Sequence, residues 1–236
     1  MASPSKAKTS AAHAVPLDYS FMGLTTLSEM AQHDPVGGKK KSHAQDAASG
    51  TAVSTSTGDG ALSSDGKSTL QKAKGAGSSS LRVNNNKITS LDGMDDALSA
   101  VFDDPSALQW IDLSGNALAK IARDTFAPYK GIFTLHLHGN KLQRYADIDN
   151  LALCLPMLHS LTLHGNPLDQ KKHYRNYVIA SFPTLMQLDF SSVTKGDREK
   201  AETWASIYKH VASPKGRETL KKGDVFGGGD GANGQD

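Results

Sequence analysis

The 236 residues leave room for one ordinary domain with tails, and a content of 38% hydrophobic and 6% aromatic residues is too low for the whole chain to enter a core. A formal net charge of +2, from 26 basic and 24 acidic side chains, provides no strong field toward nucleic acid or anionic lipid. One cysteine excludes an internal disulfide framework, and no run approaches the roughly 18–20 apolar residues that a membrane-crossing helix needs.

The start, MASPSKAKTS, has neither the apolar stretch of a secretory signal nor the glycine required for myristoylation, so a reducing, cytoplasmic setting is expected. Residues 1–15 read as a disordered tail. Residues 16–34 differ: Leu17, Tyr19 and Phe21 alternate as in a strand, and Leu24, Leu27 and Met30 follow at helical spacing. So short a segment cannot fold alone. It is expected either to cap the open end of the domain that follows or to serve as a docking arm, with Leu17, Asp18, Tyr19 and Phe21 as its contact residues. Residues 35–78 are mostly Gly, Ser, Ala and Thr without an aromatic residue, and read as a low-complexity linker. The run Lys39, Lys40 and Lys41 within it is expected to be solvated, with contact to an acidic surface or a localisation signal as the alternative.

Residues 79–212 carry one recurring pattern, Leu-x-x-Leu-x-Leu-x-x-Asn-x-Leu. Its first copy holds Leu81, Val83, Asn86 and Ile88, and its second holds Leu108, Ile111, Leu113, Asn116 and Leu118. The third places Ile132, Leu135, Leu137, Asn140 and Leu142, and the fourth Leu158, Leu161, Leu163, Asn166 and Leu168. A degenerate fifth keeps Leu185, Leu188 and Phe190, with Val193 where asparagine belongs. The alternating residues specify a short strand with its apolar side chains turned inward, and stacked coils pair these strands into a parallel sheet. An asparagine amide at the following bend satisfies buried backbone groups that an aliphatic side chain would leave unpaired. The expected fold is therefore an α/β leucine-rich-repeat solenoid of about five coils with a curved parallel sheet.

A solenoid exposes core at its ends unless something covers it. Tyr174, Tyr177 and Val178 share one face of a helix that Pro183 stops, and a second helix over about residues 198–211 puts Trp204, Ile207, Tyr208 and Val211 on one stripe. Thr194 or Asp197 is placed to cap the second helix. Residues 213–236, ending in GGGDGANGQD, read as a flexible tail.

The combination of PLDYSF, WIDLSGN, LHLHGN, LTLHGNPL, HYRNYV and LDFSSVTKGDREKAETW resembles the leucine-rich repeat-containing protein 51 family. The resemblance covers residues 16–21 and most of 81–204, while the insertion at 36–80 departs from a shorter connection in the family. It implies a ciliary protein, a structural or adaptor component of the ciliary or flagellar axoneme, with axonemal or microtubule-associated proteins as partners. The segment KKHYRNYVI, followed by a proline and LDF, is also similar to the capping segment of the U2 snRNP A-prime protein. That likeness implies the alternative of a spliceosomal scaffold acting through an RNA-binding partner. Phosphatase-regulating repeat proteins, which use the same sort of coil and cap, supply a further alternative.

Between the core leucines, one column of side chains is Trp110, Thr134, Ser160 and Gln187, and the next is Arg82, Asp112, His136, Thr162 and Asp189. A third is Asn84, Ser114, His138, His164 and Ser191. These line the concave sheet as a polar, protein-binding surface, with Trp110 its candidate anchor or, in the blander reading, a cover for the sheet edge. His136, His138, His164 and Asp112 number enough ligands for zinc, but neighbouring strands spread side chains rather than converging them, so pH-dependent partner binding is expected instead of a metal. No phosphate loop, nucleophile elbow or dinucleotide fingerprint is present, and Cys154 fits as core filler. The expected function is non-enzymatic protein binding, without cofactor, small-molecule substrate, membrane or direct nucleic-acid contact.

Overall fold

The computed structural model describes residues 15–41 and 78–212. The expectations for residues 1–14, 42–77 and 213–236, and for the side chain of Val211, lie outside the described residues. Among the described residues, seven strands form one sheet in chain order: β1 (Leu17–Asp18), β2 (Ser80–Arg82), β3 (Trp110–Asp112), β4 (Thr134–His136), β5 (Ser160–Thr162), β6 (Gln187–Leu188) and β7 (Ser191–Ser192). Pairing is parallel from β1 to β6, and β7 turns back antiparallel on β6. Leu17, Leu81, Ile111, Leu135, Leu161 and Leu188 stand in register across the parallel strands, and all are buried. The outer side carries helices α1 (Met94–Val101), α2 (Tyr145–Cys154), α3 (Tyr174–Ser181) and α4 (Lys195–Ala212). Cys154 is buried at the end of α2 and donates its S–H to the Arg123 carbonyl.

The sheet begins one coil earlier than the repeat pattern does. Leu17 and Tyr19 fill the Leu-x-Leu positions of an additional coil, and Phe21, at φ 60°, occupies the bend that Asn85, Gly115, Gly139 and Gly165 occupy in the later ones. Tyr19 N–H donates to the Arg82 carbonyl at 2.8 Å, continuing the ladder past β1. Met22 stands where asparagine belongs, which hid the coil from the pattern. Leu24, Leu27 and Met30 are buried beneath it, and the 3-10 turn Leu27–Ala31 is closed by Glu29, which accepts from the Thr26 N–H at 3.1 Å. Phe21 does not continue the apolar alternation. Its left-handed backbone turns the ring out, 76% exposed.

The expected linker boundary at residue 35 requires correction, because the packed chain runs on to Lys41. Val36 N–H donates to the Asp18 carbonyl at 2.7 Å and Asp18 N–H to the Gly37 carbonyl at 2.9 Å, so the outer edge of β1 is paired. Lys40 Nζ reaches the His33 carbonyl at 2.8 Å and Asp34 at 3.3 Å, and Lys41 N–H donates to the Val101 carbonyl at 3.0 Å. Main-chain groups at a strand edge and a helix end recruit this stretch, and composition does not register such partners.

At the opposite end, Asp189 and Phe190 adopt φ 51° and 61° and reverse the chain into β7, whose Ser192 carbonyl accepts from Arg175 at 3.2 Å. Phe190 therefore leaves the core position expected of it and is exposed. Ser191 likewise lies exposed on the return strand rather than in the concave column. Helix α4 starts earlier than expected, at Lys195, where Thr194 Oγ1 accepts from the Asp197 N–H at 3.1 Å and Asp197 returns the bond by accepting from the Thr194 N–H at 3.1 Å. Of its expected stripe, Trp204 is buried, while Ile207 and Tyr208 are half exposed.

Candidate protein-binding face

The face rests on a ladder of asparagines. The Asn140 amide nitrogen donates to the Leu113 and Leu137 carbonyls at 3.0 and 2.9 Å, and its oxygen accepts from the Leu118 N–H at 3.0 Å. Asn116 repeats this with Val83, Leu113 and Ile88, and Asn166 with Leu137, Leu163 and Leu142. Asn86 does the same one coil earlier, reaching Tyr19, Val83 and Leu24. Each amide ties its own coil to the preceding one and spends its donors and acceptor on buried main chain, which fixes the strands laterally. The bends beside them stack so closely that a Cβ on Gly165 would lie 3.2 Å from the Gly139 nitrogen, while φ there is 70°.

Above this ladder the expected residues separate into accessible and hidden groups. Trp110, Thr134, Ser160 and Gln187 are half-buried and in register, with the Ser160 hydroxyl donating to the Gln187 side chain at 3.0 Å. His136, His138 and His164 are likewise half-buried. Asp112, Ser114 and Thr162 are not presented for binding. Asp112 accepts from the Ser114 N–H at 3.0 Å and its hydroxyl at 2.6 Å, and Thr162 is wholly buried, with His136 Nδ1 and His138 Nδ1 at 3.2 and 2.8 Å from its hydroxyl. Large rings roof over smaller side chains here, a consequence of neighbour size that strand alternation alone does not show. Asp189 also has a different role. It accepts from the Leu163 and His164 N–H groups at 2.7 and 2.9 Å and from the Tyr174 hydroxyl at 2.8 Å, capping the main-chain donors that follow β5.

What remains accessible is a strip of rings across the strands. The Arg82 guanidinium lies 5.4 Å over the Trp110 ring, and Trp110 meets His136 edge-on at 5.6 Å. His138 and His164 stack at 4.7 Å with an interplanar angle of 8°. Phe190 closes the strip, its centroid 5.9, 5.8 and 5.6 Å from those of His136, His138 and His164. Phe190 was missed because Leu-x-Phe fits the core pattern, and of the two successive left-handed positions only the first carries a residue type, Asp189, that favours such a backbone. Burial holds His136 below the ordinary imidazole range, with His138 and Arg82 acting in the same direction and Asp112 opposing. Burial does the same to His138, aided by His164 and opposed by Asp112 and Asp189. Among the described residues, no group of three or more His, Cys, Asp or Glu is arranged to hold a metal ion.

Of the arm residues, Leu17 and Tyr19 are core, Asp18 pairs with Arg82 at 3.4 Å, and Phe21 alone presents an apolar side chain to solvent. Burial, with Asp34 nearby, pushes the Tyr19 hydroxyl up to about 12. At the other end Tyr177 stacks on Tyr145 at 3.9 Å and meets Trp204 at 5.9 Å, which joins α2, α3 and α4 into the terminal cap.

Residues 107–221 match a leucine-rich repeat family model. Leucine-rich repeat-containing protein 51 of Bos taurus is 37% identical over 190 residues, covering 80% of this chain and 84% of that protein. U2 small nuclear ribonucleoprotein A' of Schizosaccharomyces pombe is 40% identical over 107 residues, 45% of this chain and 43% of that protein. The crystal structure of the Drosophila melanogaster SNF/U2A' complex aligns with a TM-score of 0.46 at 24% identity, over 60% of this chain and 73% of that chain. Leucine-rich-repeat domains mediate protein–protein interaction, and the arrangement described here is of that interaction-scaffold type. With the first relative 37% identical over four-fifths of its residues, the chain belongs to the leucine-rich repeat-containing protein 51 family.

Proposed function

We propose that this protein is a non-enzymatic scaffold that holds an axonemal or microtubule-associated protein on its concave face, as a structural or adaptor component of the ciliary or flagellar axoneme. The observation that carries the binding mode is the strip from Trp110 to Phe190, where half-buried rings and the exposed Phe190 stand above polar side chains already bonded to one another and to the main chain. Buried aromatics supply most of the binding energy in protein interfaces, and a rigid support keeps the entropic cost of docking low. The family resemblance supports the ciliary location.

Tagged full-length protein in ciliated cells, followed by cross-linking mass spectrometry on isolated cilia, tests both parts. Axonemal retention with cross-links to one recurrent neighbour is expected, and a stably folded variant carrying Trp110→Ala and His138→Ala should be lost from the axoneme. Exclusion of the wild-type chain from cilia would end the axonemal reading. Unchanged retention of the double variant would remove the concave face from it.

The 40% identity to U2 small nuclear ribonucleoprotein A' over 107 residues favours a second reading, a nuclear scaffold acting through an RNA-binding partner. Nuclear localisation and co-purification with a small nuclear RNA would select it.

A further inference from the structure

Helix α4 has 18 residues and a length of about 27 Å, against the 8 residues and about 12 Å of α3, on which it packs. The two run in opposite directions. Arg198 donates to the Leu185 carbonyl at 2.6 Å, just past the C-terminal end of α3, and further along Tyr208 stacks at 6.4 Å on His173, the residue before α3 begins. There the support of α3 stops. The apolar stripe of α4 continues, because Trp204 is buried while Ile207 and Tyr208 are each 52% exposed, and Val211 follows Ile207 in sequence at i+4.

Beside these rings the surface of α4 is hollow. Gly196 and Thr203 are small members of a helix face that also carries Lys200 and Ile207, and together they line an open trough of about 450 Å³. Trp204 forms part of the wall, and its buried indole N–H has no acceptor among the described residues. The last turns of a helix keep their order by packing an apolar face, and this face runs on uncovered among the described residues.

Two observations name its cover. The leucine-rich repeat family model matches residues 107–221, so the pattern of the repeat domain continues past Ala212, where α4 ends. Within residues 213–221 the large aliphatic side chain is Leu220, preceded by Pro214, which stops a helix, and by Gly216, which permits a reversal. Leu220 follows Ala212 by eight residues, a reach of at most about 29 Å, while Thr203 lies about 14 Å back along the helix. We propose that residues 213–221 fold back along α4 as a strap, with Leu220 seated in the trough between Thr203 and Ile207. So covered, the end of α4 is withdrawn from other proteins, and the strap belongs to the repeat domain rather than to the tail.

Disulfide trapping in the full-length chain tests this, with Cys154→Ser removing the native thiol. Thr203→Cys with Leu220→Cys places one thiol in the trough and one on the strap. Glu202→Cys with Leu220→Cys has nearly the same tether but puts the helix thiol on another face. A free tail brings both pairs together at nearly equal rates, because effective concentration follows tether length. The strap should close the pair at 203 and 220 about tenfold faster or more, as a bond within one chain. Leu220→Asp should also speed backbone hydrogen exchange over residues 203–212 by about tenfold or more. Equal closure rates, or exchange unchanged by Leu220→Asp, would overturn the strap and leave the stripe open to another protein. Bonds formed between chains, with sedimentation showing a dimer, would overturn it in favour of a second copy as the occupant.

Discussion

Phe21 sits at φ 60° in a column that glycine fills further along, and its ring is 76% exposed. A left-handed backbone costs an L-residue about 1–2 kcal/mol, of which the greater freedom of glycine in the unfolded chain returns about 0.4–1 kcal/mol. Phe21→Gly should therefore stabilise the fold by about 0.5–1 kcal/mol, read as a higher denaturant midpoint at unchanged slope. Opposite in sign is Asn140→Ala, which leaves the buried Leu118 N–H without its partner, while the Leu113 and Leu137 carbonyls lose one of two donors and keep those of Asn116 and Asn166. At about 1–3 kcal/mol for one orphaned buried group, it should cost about 2 kcal/mol in the same measurement. Asn140 was legible from sequence because its chemistry is local and recurs with Asn86, Asn116 and Asn166. Burial of Thr162 was not, because it depends on the imidazoles of His136 and His138 closing over it, a matter of side-chain size on the neighbouring strand.

Helix α4 and the ring strip respond to pH in separate windows. Hydrogen bonds from the Thr194 backbone and side chain, with Arg175 beside them, hold the Asp197 carboxyl at about 2. A folded value below the ordinary one gives stability that is present above about pH 4 and lost as pH falls through 2. The ellipticity of α4 should therefore decline in that acid range, and Asp197→Asn should flatten the decline. In the strip, His136 and His138 lie below the ordinary imidazole range, so the unfolded chain binds protons first. Without a partner, the melting temperature should fall as pH drops below about 6.5, and the pair His136→Gln and His138→Gln should lessen that fall. The cap helices were readable because apolar spacing and Pro183 are sequence features. The β6–β7 reversal was not, since LDFSS carries no glycine at either left-handed position.

The same physics operates at the scale of the solenoid, where every coil is covered by its neighbour and the two ends decide whether the stack is closed. At the C-terminal end β7, Asp189 and the aromatic cap of α3 and α4 do this, all within the repeat segment. At the N-terminal end the covering coil comes from residues 15–41, separated from β2 by 36 residues outside the described structure. That coil buries Leu17, Tyr19, Leu24, Leu27 and Met30, each 2% exposed or less. With about 1.5–3 kcal/mol for each such side chain, its removal withdraws about 10 kcal/mol, within the about 5–15 kcal/mol that holds a whole domain folded. It also bares the edge of β2, an open template for pairing with another chain. A chain beginning at residue 78 should consequently lose its cooperative unfolding transition and associate in solution, as measured by denaturant titration and light scattering. A peptide of residues 15–41 supplied in trans should restore both, because the covering contacts do not require the intervening segment. If the shortened chain instead stayed monomeric with an unchanged midpoint, the arm would be a passenger on the solenoid, and its exposed Phe21 would be free to serve a partner.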